Sequence, residues 1–186
     1  MRIVGGEFRG RSLAAPASRD IRPTSDRLRQ TLFDILMHAY PDHVRGARVL
    51  DLFAGTGALG FEALSRGAAY ALFVEEGVEA RGLIRRNIEA LGLTGRTRVF
   101  RRDATQLGDA GTVPPFDLVF CDPPYGQGLG EKALTSSRAG RWLNPGAICV
   151  LEESAKVSVE AIGGFEQFEK RRIGDSQLLF FRLAPG

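Results

Sequence analysis

Residues 47–64 read ARVLDLFAGTGALGFEAL. An apolar run, ARVLDLF, gives way to Gly55, Gly57 and Gly60 in the spacing G-x-G-x-x-G, and a helical pattern, ALGFEALSRG, follows to Gly67. Glycine lets a strand turn tightly into a helix and brings backbone amides close to a ligand. The next strand-like run, YALFVEE, ends on Glu75 and Glu76. That is about 20 residues past the glycines, the offset at which an acid reaches ribose hydroxyls. The combination predicts a nucleoside-bearing ligand beyond the carboxyl ends of a parallel sheet.

Working outward, the strand–helix alternation continues. The stretch from Val78 to Leu91 carries Ile84, Ile88 and Leu91 on one helical face, RTRVFRRD and FDLVFCD read as strands, GEKALTSSRAGRWL as a short helix and GAICVLEE as a strand. FEQFEKRRIG and SQLLFFRL then follow each other with no helix between, so the last strand is expected to run antiparallel. Alternation of this kind predicts an α/β domain with helices on both faces of a mostly parallel sheet. Before it, RIVGGEF and RGRSLAA suggest a small hairpin, and Pro23 with Thr24–Ser25 starts a helix bearing Leu28, Leu32, Ile35 and Leu36. A boundary falls between Asp42 and Gly46.

Several strands end on acids. Asp51 precedes the glycine loop, Asp103 closes RRDA, and Asp122 closes the fourth strand before Pro123, Pro124 and Tyr125. A carboxylate at Asp51 would repel a pyrophosphate but attract an ammonium or sulfonium. This disfavours a dinucleotide and favours S-adenosylmethionine, which carries both cations. Asp103 is placed to meet an adenine amino group. Proline removes a backbone donor and fixes φ, so Asp122–Tyr125 combines an acid, a rigid free carbonyl and a ring. Such a group can grip something flat that carries an amine.

The 186 residues suit one domain with at most a small appendage. No apolar run approaches the roughly 18 residues of a membrane span, and MRIVGGEFRGRSL lacks the apolar core of a signal peptide. A cytoplasmic protein without a membrane partner, monomeric by default, is the expectation. Cys121 and Cys149 lie in apolar runs and are expected as buried reduced thiols. His38 and His43 sit in no Cys/His/Asp cluster, so no metal site is expected. The net charge of +3 is uneven: residues 1–48 hold nine arginines against five acids, and the remainder 16 basic against 17 acidic residues. Arginine's planar fork suits phosphate, so the amino-terminal quarter is expected to meet nucleic acid.

DLFAGTGALGFEAL followed by DPPY resembles the class I S-adenosylmethionine-dependent methyltransferases, within them the amino-methylating group with a [D/N]-PP-[Y/F/W] tetrapeptide. RIVGGEFRGRSL and RPTSDRLRQTLFDIL resemble the opening of bacterial 16S ribosomal RNA guanine-N2 methyltransferases. The resemblance implies a Rossmann-like class I methyltransferase fold. In it, residues 1–45 form an RNA-contacting hairpin and helix, and residues 46–186 the S-adenosylmethionine-binding catalytic domain. It implies Asp51, Phe53, Ala54, Gly55, Thr56 and Gly57 around the methionine part, Glu75 or Glu76 on the ribose, and Asp103 with Ala104 at the adenine. Asp122, Pro123, Pro124 and Tyr125 would hold the target amine, and Arg9, Arg11, Arg22, Arg27 and Arg29 would contact RNA phosphates. The substrate implied is 16S rRNA in an assembled or assembling small subunit, and the product S-adenosylhomocysteine. Gly77 stands where the family often has a second acid. Rival readings are an adenine-N6 DNA methyltransferase, a protein glutamine methyltransferase, a dinucleotide-dependent oxidoreductase and a non-catalytic RNA-binding module that keeps the pocket.

Overall fold

The computed structural model describes residues 1–185. Seven strands form one sheet: β1 (Arg48–Leu52), β2 (Tyr70–Val74), β3 (Thr97–Phe100), β4 (Phe116–Cys121), β5 (Leu143–Ser154), β6 (Phe165–Ile173) and β7 (Ser176–Leu183). Their order is β3-β2-β1-β4-β5-β7-β6. Strands β1 to β5 pair in parallel, whereas β7 runs antiparallel to both β5 and β6. The strand order reverses between β1 and β4, which places a crevice above their carboxyl ends, where ligands of such sheets bind.

Helices α1 (Asp26–Ala39), α2 (Ala58–Ser65), α3 (Val78–Leu91) and α4 (Leu129–Ala139) cover the sheet. Side chains alternate across a strand, and the two faces separate cleanly. Val49, Leu118 and Phe120 join Phe33, Leu36, Phe61, Leu64 and Ile84 on the α1–α3 side. Leu50, Leu52, Val119 and Cys121 join Leu134 and Trp142 on the α4 side. Both cysteines are buried free thiols, and burial pushes each thiol's pKa up. Among the described residues no helix is long and apolar enough to cross a membrane.

Helix α1 starts where Ser25 Oγ accepts the Leu28 amide at 3.1 Å. Leu28, Leu32, Phe33 and Leu36 enter the same core as α2 and the sheet. Each such burial contributes about 1.5–3 kcal/mol, which fixes α1 to the sheet.

The expected amino-terminal hairpin is reduced to a single antiparallel bridge, Arg2 to Ser12. The donors near its tip go elsewhere. The Val4 and Gly5 amides donate to the two oxygens of Glu62 at 3.0 and 2.9 Å, and Glu7 and Phe8 donate to the carbonyl and hydroxyl of Ser65 at 2.8 and 2.9 Å. The two arms of the hairpin thus hold each other through Ile3, Gly10 and Leu13, whose amides donate to the Arg11, Ile3 and Met1 carbonyls at 3.0, 2.8 and 2.9 Å, while its tip docks on α2. Gly6 has φ +78°, and a Cβ there would overlap the Ser65 carbonyl, so glycine is required at this approach.

Arg29 corrects an expectation. It was expected on RNA phosphate, yet it is 0% exposed. Its guanidinium donates to Glu62 at 3.1 Å and to the Arg2 carbonyl at 2.9 Å, and it pairs with Asp26. On α1, position 29 shares a helical face with Phe33 and Leu36, and that face points inward.

Candidate active site

A cavity of about 560 Å³ opens at the crevice. The glycine loop, the end of β2, the start of α3, the tetrapeptide after β4 and the segment between the amino-terminal loop and α1 all line it. Gly55 and Asp122 therefore face one space.

On one side, the chain leaves β1 through Phe53 at φ +55° and Gly55 at φ +58°. An aromatic residue seldom adopts the left-handed region. It is held there by the Ala54 amide on the Val74 carbonyl at 3.1 Å and the Gly57 amide on the Ala54 carbonyl at 2.8 Å. Gly57 shapes the turn from behind: a Cβ would stand 2.7 Å from the Phe61 ring. Phe53, Ala54, Gly55 and Thr56 line the cavity.

Asp51 is buried beneath the loop, and its Oδ2 accepts the Gly60 amide at 3.0 Å. Burial, then the negative charge of Glu75, holds its pKa well above the usual carboxylate range. A desolvated acid of this kind is complementary to a cation. The cradle thus fits the ammonium-bearing and sulfonium-bearing part of S-adenosylmethionine.

Glu75 and Glu76 diverge. Glu75 lines the cavity and accepts the Gly55 and Gly77 amides, each at 2.8 Å. Each carboxylate oxygen keeps a further lone pair for a hydroxyl. The Glu76 side chain is exposed and off the wall, and its carbonyl accepts from Arg81. Gly77 also explains the missing second acid: its amide serves Glu75, and a Cβ would lie 3.2 Å from Glu75 Oε2. Asp103 and Ala104 do not line the cavity. Asp103 Oδ1 instead accepts the amide and hydroxyl of Thr105 at 2.8 and 2.7 Å, starting the short 3-10 turn Ala104–Gln106. Val78, 75% exposed, stands on the wall as an open apolar side chain.

On the other side, Asp122 ends β4 on the wall with Pro123, Pro124 and Tyr125. Thr24 Oγ1 donates to Asp122 Oδ2 at 2.9 Å. The next strand adds acids at the same height. Glu152 on β5 is 6% exposed and its Oε1 accepts the Tyr125 hydroxyl at 2.6 Å, while Glu153 accepts the Gly126 amide at 3.1 Å. Burial, then the charge of Glu152, raises the Asp122 pKa well above the usual carboxylate range; the Thr24 hydroxyl and Arg22 act the other way. The Tyr125 hydroxyl is pushed up to about 12 by burial and by its bond to Glu152.

Arg22 was expected on phosphate and lies instead inside this site. Its guanidinium covers the Tyr125 ring at 3.8 Å from the centroid, with one nitrogen 3.4 Å from Asp122 Oδ1 and 3.5 Å from Glu152 Oε1. Arg9, Arg11 and Arg27 remain exposed, Arg11 donating to the Ala90 carbonyl at 2.8 Å. The segment that carries Arg22 is tied to α3. Ala14 donates to Asn87 at 2.8 Å, and Ala17 and Ser18 donate to Glu79 at 2.8 and 3.1 Å.

Glu152, Thr24, Glu79 and Val78 were not singled out in the sequence. Glu152 had a signal, since GAICVLEE ends on acids just as the neighbouring strands do. Thr24 and Glu79 had none, because their roles depend on where the amino-terminal segment crosses the sheet.

The family model described as Conserved hypothetical protein 95 matches residues 1–182. Ribosomal RNA small subunit methyltransferase D of Escherichia coli K12 is 40% identical over 157 residues, covering 84% of this chain and 76% of that one. The solved structure of yhhF from Escherichia coli, described as a candidate methyltransferase, superposes with TM-score 0.82 at 32% identity over 99% of this chain and 98% of its own. The 16S rRNA N2 G1207 methyltransferase RsmC of Thermus thermophilus, solved with AdoMet and guanosine, shares the fold at TM-score 0.66 and 22% identity, over 90% of this chain and 45% of its own. With a family match over nearly its whole length and a class I methyltransferase sheet, the chain belongs to the Conserved hypothetical protein 95 family.

Proposed function

We propose that this chain transfers a methyl group from S-adenosylmethionine to the exocyclic N2 amine of a guanine in 16S rRNA of the small ribosomal subunit. The observation that carries the reading is the single cavity onto which the glycine loop and Asp122–Tyr125 both open. The relatives named as small-subunit rRNA methyltransferases support the substrate, and so does the resemblance of the RPTSDR segment and the tetrapeptide.

When bound, S-adenosylmethionine supplies an electrophilic methyl carbon on a sulfonium. The chain's part is to position and to accept. Asp51 and the loop Phe53–Thr56 hold the cationic part, and Glu75 takes the ribose hydroxyls. The exposed Val78 covers the adenine. Asp122 and the Pro123 carbonyl accept the two N–H groups of the amine, which draws its lone pair out of conjugation with the ring. Tyr125 stacks on the base, and Arg22 withdraws to admit it. Asp122 is placed to take the proton that the amine would shed on gaining the methyl group, the sulfonium leaving as the neutral thioether of S-adenosylhomocysteine. Catalysis rests on alignment and on carboxylates facing the developing positive charge.

The test uses small subunits and 16S rRNA from a strain lacking this protein. Purified enzyme and labelled S-adenosylmethionine are added, and the modified nucleotide is mapped. The expected product is one N2-methylguanine. Label that appears only on adenine, DNA or protein, or no transfer at all, overturns the reading.

A further inference from the structure

Arg22 leaves an imprint of what the site is built to take. Its guanidinium carbon stands over the Tyr125 ring, 3.8 Å from the centroid, and a single amino nitrogen stands between Asp122 and Glu152, at 3.4 and 3.5 Å. A guanidinium is a planar carbon bearing nitrogens whose N–H groups form a rigid fork. Guanine carries the same unit at its N1–H, C2 and 2-amino positions. Adenine does not: beside its amine, ring N1 is an acceptor, and its lone pair would face a carboxylate.

The state of Glu152 adds a second observation. A buried carboxylate is costly unless donors reach it. The Glu152 Oε2 atom is buried with no hydrogen-bond partner in the described structure. Its Oε1 is shared between the Tyr125 hydroxyl and Arg22, whose side chain is 52% exposed and so can swing outward. Once Arg22 leaves, Oε1 has an acceptor site vacant directly beside Asp122.

We propose that Glu152 is the residue by which this pocket tells guanine from other amino-bearing bases: its Oε1 accepts the ring N1–H while Asp122 holds the 2-amine. This rests on the guanine-N2 reading above. It assigns discrimination to a side chain outside the tetrapeptide.

2-Aminopurine separates the two contacts, because it keeps the 2-amine but has an acceptor at N1. Small-subunit RNA is prepared with either guanine or 2-aminopurine at the mapped position, and kcat/KM for methyl transfer is compared. The wild-type enzyme is expected to prefer guanine by about 10- to 100-fold, the worth of one hydrogen bond to a charged acceptor. In Glu152→Gln, whose amide can donate to an unprotonated N1, that ratio falls to about one. Glu152→Asp, which keeps the charge and withdraws it by one methylene, falls between. Tyr125→Phe removes the other partner of Oε1 and is expected to leave the ratio as in the wild type. Calorimetric titration with S-adenosylhomocysteine shows that each variant is folded. An unchanged guanine preference in both Glu152 variants overturns the proposal, as does an equal fall in Tyr125→Phe, which would make Glu152 only a prop for the ring. If wild-type enzyme methylates no guanine, the functional reading itself fails, and that outcome is seen before any variant is compared.

Discussion

Asp122 sits between neighbours that pull its proton affinity in opposite directions. Burial and the negative charge of Glu152 raise its pKa, while the Thr24 hydroxyl and the Arg22 guanidinium lower it. To accept the amine proton it must be ionised, so activity is expected to fall as pH drops through this raised value. Removing the negative neighbour in Glu152→Gln lowers the Asp122 pKa, and the acid limb of kcat/KM moves to lower pH. Removing the positive one in Arg22→Met raises it, and the same limb moves to higher pH. A pH–rate profile of the two variants that shifts in one common direction contradicts this account. Asp122→Ala is expected to lower kcat by about 10²- to 10⁴-fold, the usual worth of a positioned base, with S-adenosylmethionine affinity unchanged by calorimetry. At this scale the sequence was legible where a strand end opens directly on the crevice, and not at Asp103, a strand-end acid that caps Ala104–Gln106 instead. Asp51, Gly55, Glu75 and Asp122–Tyr125 follow from strand ends, glycine spacing and proline stiffness. Arg22 was legible as an arginine near the start of α1 but not as a group inside the cavity, because its position depends on a loop path that no periodicity encodes.

The contact between the amino-terminal loop and α2 is where an element depends on one buried charge. Glu62 is fully buried and accepts from Val4, Gly5, Arg29 and Arg66. Removing one partner of a buried pair strands the other. Glu62→Ala leaves the buried Arg29 with Asp26 as its one remaining carboxylate, and the Val4 and Gly5 amides lose their acceptors. The expected loss is about 3–5 kcal/mol, read as a lower midpoint in urea denaturation. A loss within about 0.5 kcal/mol, the range of ordinary surface substitutions, would show that the loop can release without cost. Helices were legible here because periodicity over three turns is a strong signal: Val78–Leu91 is recovered as α3. The amino-terminal hairpin was legible only in part: its arms meet antiparallel, but the amides of Val4, Gly5, Glu7 and Phe8 go to Glu62 and Ser65 on α2, so regular strands do not extend through it. Arg29 could have been placed by asking which helical face it shares, since the run Leu28, Leu32, Phe33, Leu36 surrounds it.

Across the whole molecule, the mostly parallel sheet follows from alternation, right-handed crossovers narrow its strand order without fixing it, and the closing pair β6–β7 follows from the absence of a helix between two apolar runs. The division at about residue 45 is less marked than composition suggested, because α1 shares its core with α2 and the sheet. The basic character of the first quarter is also redistributed: Arg29 serves the core, Arg22 the cavity, and Arg9 and Arg27 stay exposed. Arg9→Glu with Arg27→Glu is therefore expected to weaken RNA binding and to flatten its salt dependence by about one unit of slope for each phosphate no longer neutralised. Affinity for S-adenosylhomocysteine should be unchanged. An unaltered slope in filter binding across a salt series would remove both residues from the RNA surface.

The strip from Ala14 to Thr24 is a party wall. It hangs from α3 through Glu79 and Asn87, on the side where Glu75 stands, and it props Asp122 and Tyr125 through Thr24 and Arg22. Two tenants leaning on one wall cannot be indifferent to each other. The factor by which S-adenosylhomocysteine changes RNA affinity must equal the factor by which RNA changes S-adenosylhomocysteine affinity. Both are expected to differ from one, and Glu79→Ala, which unhooks Ala17 and Ser18, should bring both toward one in paired titrations.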